Sequence, residues 1–259
     1  MKIPLYQVDA FASRVFAGNP AAVCPLERWL DDATLQAIAA ENNLSETAFL
    51  VGGGGEYDIR WLTPKTEVDL CGHATLASGW VILNAIEASR NEVVFRSKSG
   101  PLTVTRDGDL YALDFPSRPP APAALSEEVA AALGRRPREM GEARDVMAVF
   151  ETEEEVRALR PDPERLAALP CFAVIATARG READFVSRFF APRQGIPEDP
   201  VTGSAHCTLV PYWAKRLGKS RLRALQVSAR GGELFCEDKG DRVRIAGRAV
   251  RYMEGTIEI

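Results

Sequence analysis

The sequence predicts an α/β (α+β) protein of two pseudo-symmetric halves, each a mixed β-sheet wrapped around a central buried helix. Two apolar stretches of helical length support this prediction, one after Cys71-Gly72-His73 and one after Thr202-Gly203-Ser204. The first stretch carries almost no charge around its circumference, which is typical of a helix buried on all sides. Short strand-like segments with turn residues between them flank each stretch.

Four landmarks recur in the same order, at a nearly constant spacing of about 130 residues. An Arg–aromatic–apolar–small–Pro motif precedes each apolar stretch, at 60–64 and at 188–192. Each stretch begins at a Gly, and it is followed by a Ser and a Gly (97–100 and 228–231) and then by a charged turn between two strands. The chain is therefore expected to be a duplicated unit. We expect domains at 1–116 and 117–259, with the last strand free to return to the first half.

The first half begins with strands and one helix. We predict strands at 4–10 and 21–24, a helix capped by Asp31 or Asp32 and ending near Asn42, and a strand that starts beside Glu46. Glycines at 52–55 predict a hairpin turn before a strand at 57–62. After the first apolar helix, strands are predicted at 92–95, 102–105 and 110–115.

The second half begins after a proline cluster at 116–122, which is predicted to be a stiff connector because proline cannot continue a sheet. Helices are predicted at 126–133 and 163–169, and strands at 146–150 and 172–177. The acidic run at 151–155 is predicted to form the first turn of a helix, where the helix dipole favours carboxylates.

Composition excludes several classes of protein. A net charge of −4 disfavours nucleic acid or an anionic membrane as the main partner. The five cysteines are odd in number and widely spaced, so we expect neither a disulfide framework nor a zinc site, and a reducing compartment is favoured. The N-terminus has no signal-peptide pattern, and no apolar run reaches the ~18 residues of a spanning helix. We therefore expect a soluble cytoplasmic protein without a membrane or nucleic-acid partner.

Both apolar helices start at residues that suit anion binding. Free backbone N–H groups at Gly72-His73 and Gly203-Ser204 are suited to a substrate carboxylate. Asp199 is a candidate for holding an amine or hydroxyl, and Glu46 is a candidate proton acceptor if burial raises its affinity for protons. The cleft between two such halves is the default site.

Each of these residues also has a structural interpretation. Glu46 can be a strand-end carboxylate in water, while His73, Asp199 and Ser204 can cap helices. His206, inside the second helix, is expected to be a core histidine. Two histidines in unrelated elements and no carboxylate cluster predict that no metal is bound.

Four motifs together resemble the PhzF-like (phenazine-biosynthesis-like) family. They are Gly18-Asn19-Pro20-x-x-Val23, the segment 43–49 around Glu46, Cys71-Gly72-His73-Ala74-Thr75, and the segment 198–206 around Asp199. The resemblance implies the diaminopimelate-epimerase-like fold, a homodimer and no cofactor.

The resemblance also implies a function in a biosynthetic process. It implies an isomerase in which Glu46 moves a proton between carbons of a small carboxylic acid. His73, Asp199 and Ser204 would polarise and orient that acid, and Asn19, Gly72 and Gly203 would contribute to binding it.

Related epimerases and racemases use two cysteines, one from each half. Cys71 occupies the first of these positions, but Pro200 occupies the second, which disfavours a two-thiol racemase. Two alternatives stay open: a single-thiol epimerase or racemase using Cys71, and a non-catalytic protein that binds a small molecule or another protein.

Overall fold

A computed structural model describes all residues 1–259, which form two compact units. The first unit is Met1–Asp114 with Ala246–Ile259, and the second is Phe115–Ile245. The elements up to the first unit boundary are β1 Lys2–Ala10, β2 Asn19–Leu26, α1 Asp32–Asn42, β3 Glu46–Gly53, β4 Glu56–Leu62, β5 Glu67–Val68, α2 Gly72–Val81, β6 Glu92–Ser97, β7 Gly100–Asp107 and β8 Leu110–Pro116.

The remaining elements follow in chain order. They are β9 Ala121–Ala123, α3 Glu127–Leu133, β10 Glu139–Glu142, β11 Val146–Val149, α4 Glu153–Ala158, α5 Pro163–Ala168, β12 Val174–Arg179, β13 Phe185–Ala191, β14 Ile196–Asp199, α6 Gly203–Leu217, β15 Arg221–Gln226, β16 Gly232–Asp238, β17 Arg242–Gly247 and β18 Ala249–Glu258. A π-helical turn, Ile82–Ile86, continues α2, and a 3₁₀ turn, Pro192–Gln194, follows β13. None of the helices is both long and apolar enough to cross a membrane.

The two units repeat one pattern of strand pairing. In the first, β2 is parallel to β3, β3 is antiparallel to β4, β4 is parallel to β6, and β6 is antiparallel to β7. In the second, β11, β12, β13, β15 and β16 pair in the same succession of parallel and antiparallel contacts. The long helix of each unit, α2 or α6, lies in the crossover before the last two strands. The predicted pseudo-symmetric fold class is therefore confirmed.

A pair of equivalent ion pairs also marks the duplication. Arg60, the first residue of the repeated motif, binds Glu67 through two hydrogen bonds of 2.9 and 2.8 Å. Arg188, its counterpart, binds Glu198 through two hydrogen bonds of 2.7 and 2.8 Å. Both are bidentate guanidinium–carboxylate pairs, and each ties β4 or β13 to the segment that leads to the long helix.

Helix α2 is the centre of the first unit, with its residues from His73 to Leu76 buried and β1, β2, β3, β6 and β7 packed around it. Gly79 allows this packing, because a Cβ at that position would lie 2.4 Å from Cγ1 of Val104 on β7. The predicted helix thus exists, but it ends at Val81 and continues only as the π-helical turn.

Helix α6 contains Pro211, which lacks the N–H that would bond the carbonyl four residues earlier. That carbonyl, of Cys207, instead accepts a hydrogen bond from the backbone N–H of Arg118 at 2.9 Å. The proline therefore leaves no carbonyl unsatisfied, and it fixes the chain segment beside α6.

Two local predictions are wrong. The proline cluster was expected to stay outside any sheet, but Ala121–Ala123 pairs with β10, with Pro122 opposite Gly141. A proline is tolerated there because β9 is a short edge strand. The strand predicted at 172–177 begins at Val174, and Phe172 precedes it with 42% of its surface exposed.

Candidate active site

Glu46 and His73 form a buried pair in the first unit. Glu46 is the first residue of β3, and the parallel pairing of β2 with β3 places it opposite Ala21, two residues after Asn19. His73 is the second residue of α2. The Glu46 Oε2 atom lies 3.1 Å from His73 Nε2, and the two residues are only 8% and 5% exposed. The water-facing interpretation of Glu46 is therefore wrong.

The opposite edge of the His73 ring has two further neighbours. The side-chain amide of Asn19 lies 3.2 Å from Nδ1, and Sγ of Cys71 lies 3.5 Å from the same nitrogen. A protonated imidazole donates from both nitrogens. The structure places the amide nitrogen of Asn19, itself a donor, against Nδ1, so this contact is a hydrogen bond when Nδ1 is unprotonated, whereas an imidazolium requires the amide to turn its oxygen to the ring. In both arrangements Asn19, a predicted substrate ligand, orients the ring.

The charge states of His73 and Cys71 depend on their burial and on the neighbouring Glu46. Burial opposes a charge on His73, but Cys71 and Glu46 outweigh it, and the pKa of His73 is raised well above its ordinary value. Burial, reinforced by Glu46, raises the pKa of Cys71 to about 11. The thiol is thus protonated at neutral pH, so at that pH Cys71 acts on His73 through its hydrogen-bonding contact, while the charge that favours the imidazolium is the carboxylate of Glu46.

Glu46, Cys71 and His73 can each offer one ligand atom within 4.8 Å of the others. However, the close contacts of Cys71 and Glu46 are made to opposite nitrogens of the imidazole. The absence of a bound metal stays a prediction.

Asp199 and Ser204 lie in the second unit, before and inside the start of α6. Asp199 is buried at the end of β14 and accepts a hydrogen bond from the hydroxyl of Thr202. Gly203 is the first residue of α6, and the side chain of the N-cap residue Thr202 makes no capping hydrogen bond to the helix. The hydroxyl of Ser204 lies 3.5 Å from Nη2 of Arg144. An uncapped helix start beside a hydroxyl and a guanidinium is suited to an anionic ligand group.

The family follows from comparison with known proteins. The family described as phenazine biosynthesis-like protein matches residues 8–255. The chain belongs to this family. It is 52% identical over 259 residues to a protein of Pseudomonas aeruginosa named an uncharacterized isomerase, with both chains fully covered.

Solved structures agree with this assignment. The chain resembles the crystal structure of a PhzF family phenazine biosynthesis protein from Enterococcus faecalis, with a TM-score of 0.98, 50% identity and full coverage of both chains. A predicted epimerase from Pseudomonas aeruginosa, 19% identical and covered over 99% of each chain, shares the fold at a TM-score of 0.76. The predicted family and its diaminopimelate-epimerase-like fold are therefore confirmed.

The structure gathers the residues singled out in this PhzF-like chain into one group within each unit. Asn19 and Glu46 both lie against His73, and Gly72 begins the helix that carries His73. Asp199, Gly203 and Ser204 surround the start of α6. His206, expected to be a core histidine, is fully buried and lies 2.8 Å from the carbonyl of Thr202 through Nδ1. Burial lowers its pKa to about 4.

Sequence reasoning did not single out two residues of the second unit. Gln226 is buried, accepts from the N–H of Thr202 at 2.8 Å and donates to the carbonyl of Asp199 at 2.8 Å. Arg144 reaches Ser204 from the loop between β10 and β11. Neither residue belongs to a sequence motif. Gln226 does lie at the end of a strand, just before the repeated Ser–Gly landmark at 228–231, and this position could have marked it as a candidate.

Proposed function

We propose that this protein is a cofactor-independent isomerase that moves a proton between carbons of a small carboxylic acid, with Glu46 as the general acid and base. The observation that carries the proposal is the buried Glu46–His73 pair. Its facing atoms lie 3.1 Å apart, yet neither makes a hydrogen bond of good geometry. A buried carboxylate and imidazole that attract each other by charge without an aligned hydrogen bond keep hydrogen-bonding capacity for a ligand.

The proposed mechanism gives one role to the Glu46 carboxylate and another to the His73 imidazolium. The Glu46 carboxylate removes a proton from one carbon of the substrate and returns it to another, so the residue ends as it began. Removal of a proton next to a carboxylate or carbonyl leaves negative charge on the substrate oxygens. The His73 imidazolium donates a hydrogen bond to that charge, which lowers the barrier.

The second unit carries its own residues suited to a small carboxylic acid. The start of α6 at Gly203 and the hydroxyl of Ser204 offer donors to a carboxylate, and the Asp199 carboxylate can accept from an amine or hydroxyl. The isomerase names of close relatives support the reaction class. The small-acid substrate, the homodimer and the cytoplasmic location stay predictions.

A single-thiol epimerase is less well supported. Cys71 is buried beside His73, and the raised pKa of its thiol leaves little thiolate to act as a base. The thiol mechanism and the carboxylate mechanism predict opposite outcomes for substitution of Glu46, so one experiment separates them.

The test is deuterium incorporation. Wild type, Glu46→Gln and Glu41→Gln are incubated in deuterated water with small amino, hydroxy and cyclic carboxylic acids, and mass spectrometry detects a one-unit shift or an isomeric product. Glu41 is an exposed glutamate of α1 and serves as the matched control. We expect Glu46→Gln to lower exchange by about 100-fold or more and Glu41→Gln to leave it unchanged. Equal exchange by Glu46→Gln and wild type would place the base elsewhere.

A further inference from the structure

An open pocket of about 370 Å³ lies in the second unit, and one of its lining residues, Arg144, contacts Ser204. The hairpin between β10 and β11 forms one wall, and the segments before β12 and after β13 form the others. Its charged and aromatic lining residues are Glu142, Arg144, Asp145, Phe172 and Arg193. The volume is sufficient for part of a small ligand.

Arg144 is held in this pocket by three neighbours. Its guanidinium carbon lies 4.3 Å from the centre of the Phe172 ring, and its Nε lies 3.3 Å from the buried carboxyl of Asp145. Its Nη2 lies 3.5 Å from Oγ of Ser204, while Nη1 has no protein partner. A guanidinium fixed over an aromatic face keeps its remaining edge in one orientation, which suits bidentate binding of a carboxylate.

The other charges of the pocket define what it accepts. Burial raises the pKa of Asp145, although Arg144 and then Arg118 oppose this effect. The Asp145 carboxyl is already engaged by the Nε side of Arg144 and is not exposed to a ligand. Arg193 adds a second cation, and one of its nitrogens lies 3.3 Å from the carbonyl of Leu169. Glu142 is the exposed anion of the pocket and opposes a negative ligand.

We propose that this pocket binds a second carboxylate of the substrate, with Arg144 as its ligand, so that the substrate class is a dicarboxylic acid. The inference rests on the proposed function, because Ser204, which Arg144 contacts, is there a ligand of the first carboxylate. Arg144 is then a specificity-determining residue. Phe172 is a positioning residue that acts through Arg144.

The test measures binding at equilibrium, independently of turnover. Ligand-observed NMR compares linear dicarboxylates of four to eight carbons with monocarboxylates of the same length. The proteins are wild type and the variants Glu46→Gln, Arg144→Gln, Phe172→Leu, Glu142→Gln and Arg181→Gln. Arg181 lines a different pocket of the same unit, and its side chain pairs with Glu154 at 2.5 Å, so its substitution is the matched control.

We expect wild type and Arg181→Gln to bind one dicarboxylate about 10- to 100-fold more tightly than its monocarboxylate, as charged hydrogen bonds imply. Arg144→Gln should abolish this preference, and Phe172→Leu should weaken it. Glu142→Gln should strengthen it by removing the opposing charge. Absence of any preference in wild type, or its persistence in Arg144→Gln, would overturn the proposal.

The two proposals can fail separately. A preference for dicarboxylates in wild type and Glu46→Gln, combined with no exchange chemistry at Glu46, would retain the pocket and reject the base. Exchange that depends on Glu46 but acts on monocarboxylates alone would retain the base and reject the dicarboxylate subsite.

Discussion

Replacement of Gln226 by Leu tests whether one buried amide organises the start of α6. The side chain is 1% exposed and makes three hydrogen bonds, to the N–H of Thr202, the carbonyl of Asp199 and the hydroxyl of Thr202. Leucine has a similar volume but no polar atom, so two backbone groups lose the partner that Gln226 provides. A buried polar group left unsatisfied costs about 1–3 kcal/mol. Relaxation of the structure around the new leucine makes the combined cost of the two unsatisfied groups smaller than the sum of their separate costs. We therefore expect a loss of about 2–4 kcal/mol in the free energy of unfolding.

The assay is urea denaturation of wild type, Gln226→Leu and Gln36→Leu. Gln36 is a half-buried glutamine of α1 that donates one hydrogen bond to the carbonyl of Thr63 at 2.9 Å. Its replacement should cost only about 1 kcal/mol. The denaturation midpoint should fall further for Gln226→Leu at an unchanged slope. A change within about 0.5 kcal/mol of wild type, or no larger than that of Gln36→Leu, would refute the reasoning.

Three further predictions concern the buried helices. Gly79→Ala should lower the free energy of unfolding by about 1–3 kcal/mol, because the new Cβ would meet Val104; a double-mutant cycle with Val104→Ala should show that the two costs are coupled, and additive costs would contradict the contact. Cys71→Ala should retain deuterium exchange, and a large loss of exchange in this variant would instead support the thiol mechanism. Iodoacetamide should modify Cys71 much more slowly in the native protein than in urea, since burial raises the pKa of the thiol to about 11. The free energy of unfolding should fall as the pH drops from about 6.5 towards 4. His206 takes up a proton in the unfolded chain over this interval, whereas in the native protein its pKa is about 4 and it stays neutral. The urea midpoint of His206→Gln should therefore depend less on pH over that range than the midpoint of wild type.

Local sequence patterns were sufficient to predict helices that begin at a clear capping residue. The caps at Asp31 and Ser126 start α1 and α3 where the sequence predicts them. The repeat revealed the duplicated fold because its landmarks have structural causes, such as the bidentate Arg60 and Arg188 ion pairs. Phe172 shows the limit of such patterns. The apolar run from Phe172 predicted a strand, but the strand begins at Val174, and Phe172 packs under Arg144 instead.

The site depends on contacts that no local pattern contains. Glu46 meets His73 because β2 and β3 are parallel and α2 packs against them, and this is a property of the whole first unit. The resemblance singled out both residues, but it did not show that the pair is buried and poorly aligned. Gln226 and Arg144 reach Asp199 and Ser204 across long sequence separations, so only the folded chain identifies them.

The proposed proton transfer depends on the charge state of the Glu46–His73 pair, which nitrogen NMR of the two histidines measures. The chain has only two histidines, so His206 serves as an internal neutral reference, and His73→Gln assigns the signals. The raised pKa of His73 means that its stabilising charge is fully present below pH ~6.5 and is lost only as the pH rises through the higher native value. At pH 7.5 we expect one imidazolium and one neutral ring in wild type, and two neutral rings in Glu46→Gln. A neutral His73 in wild type at this pH would contradict the ion pair on which the proposed proton transfer depends.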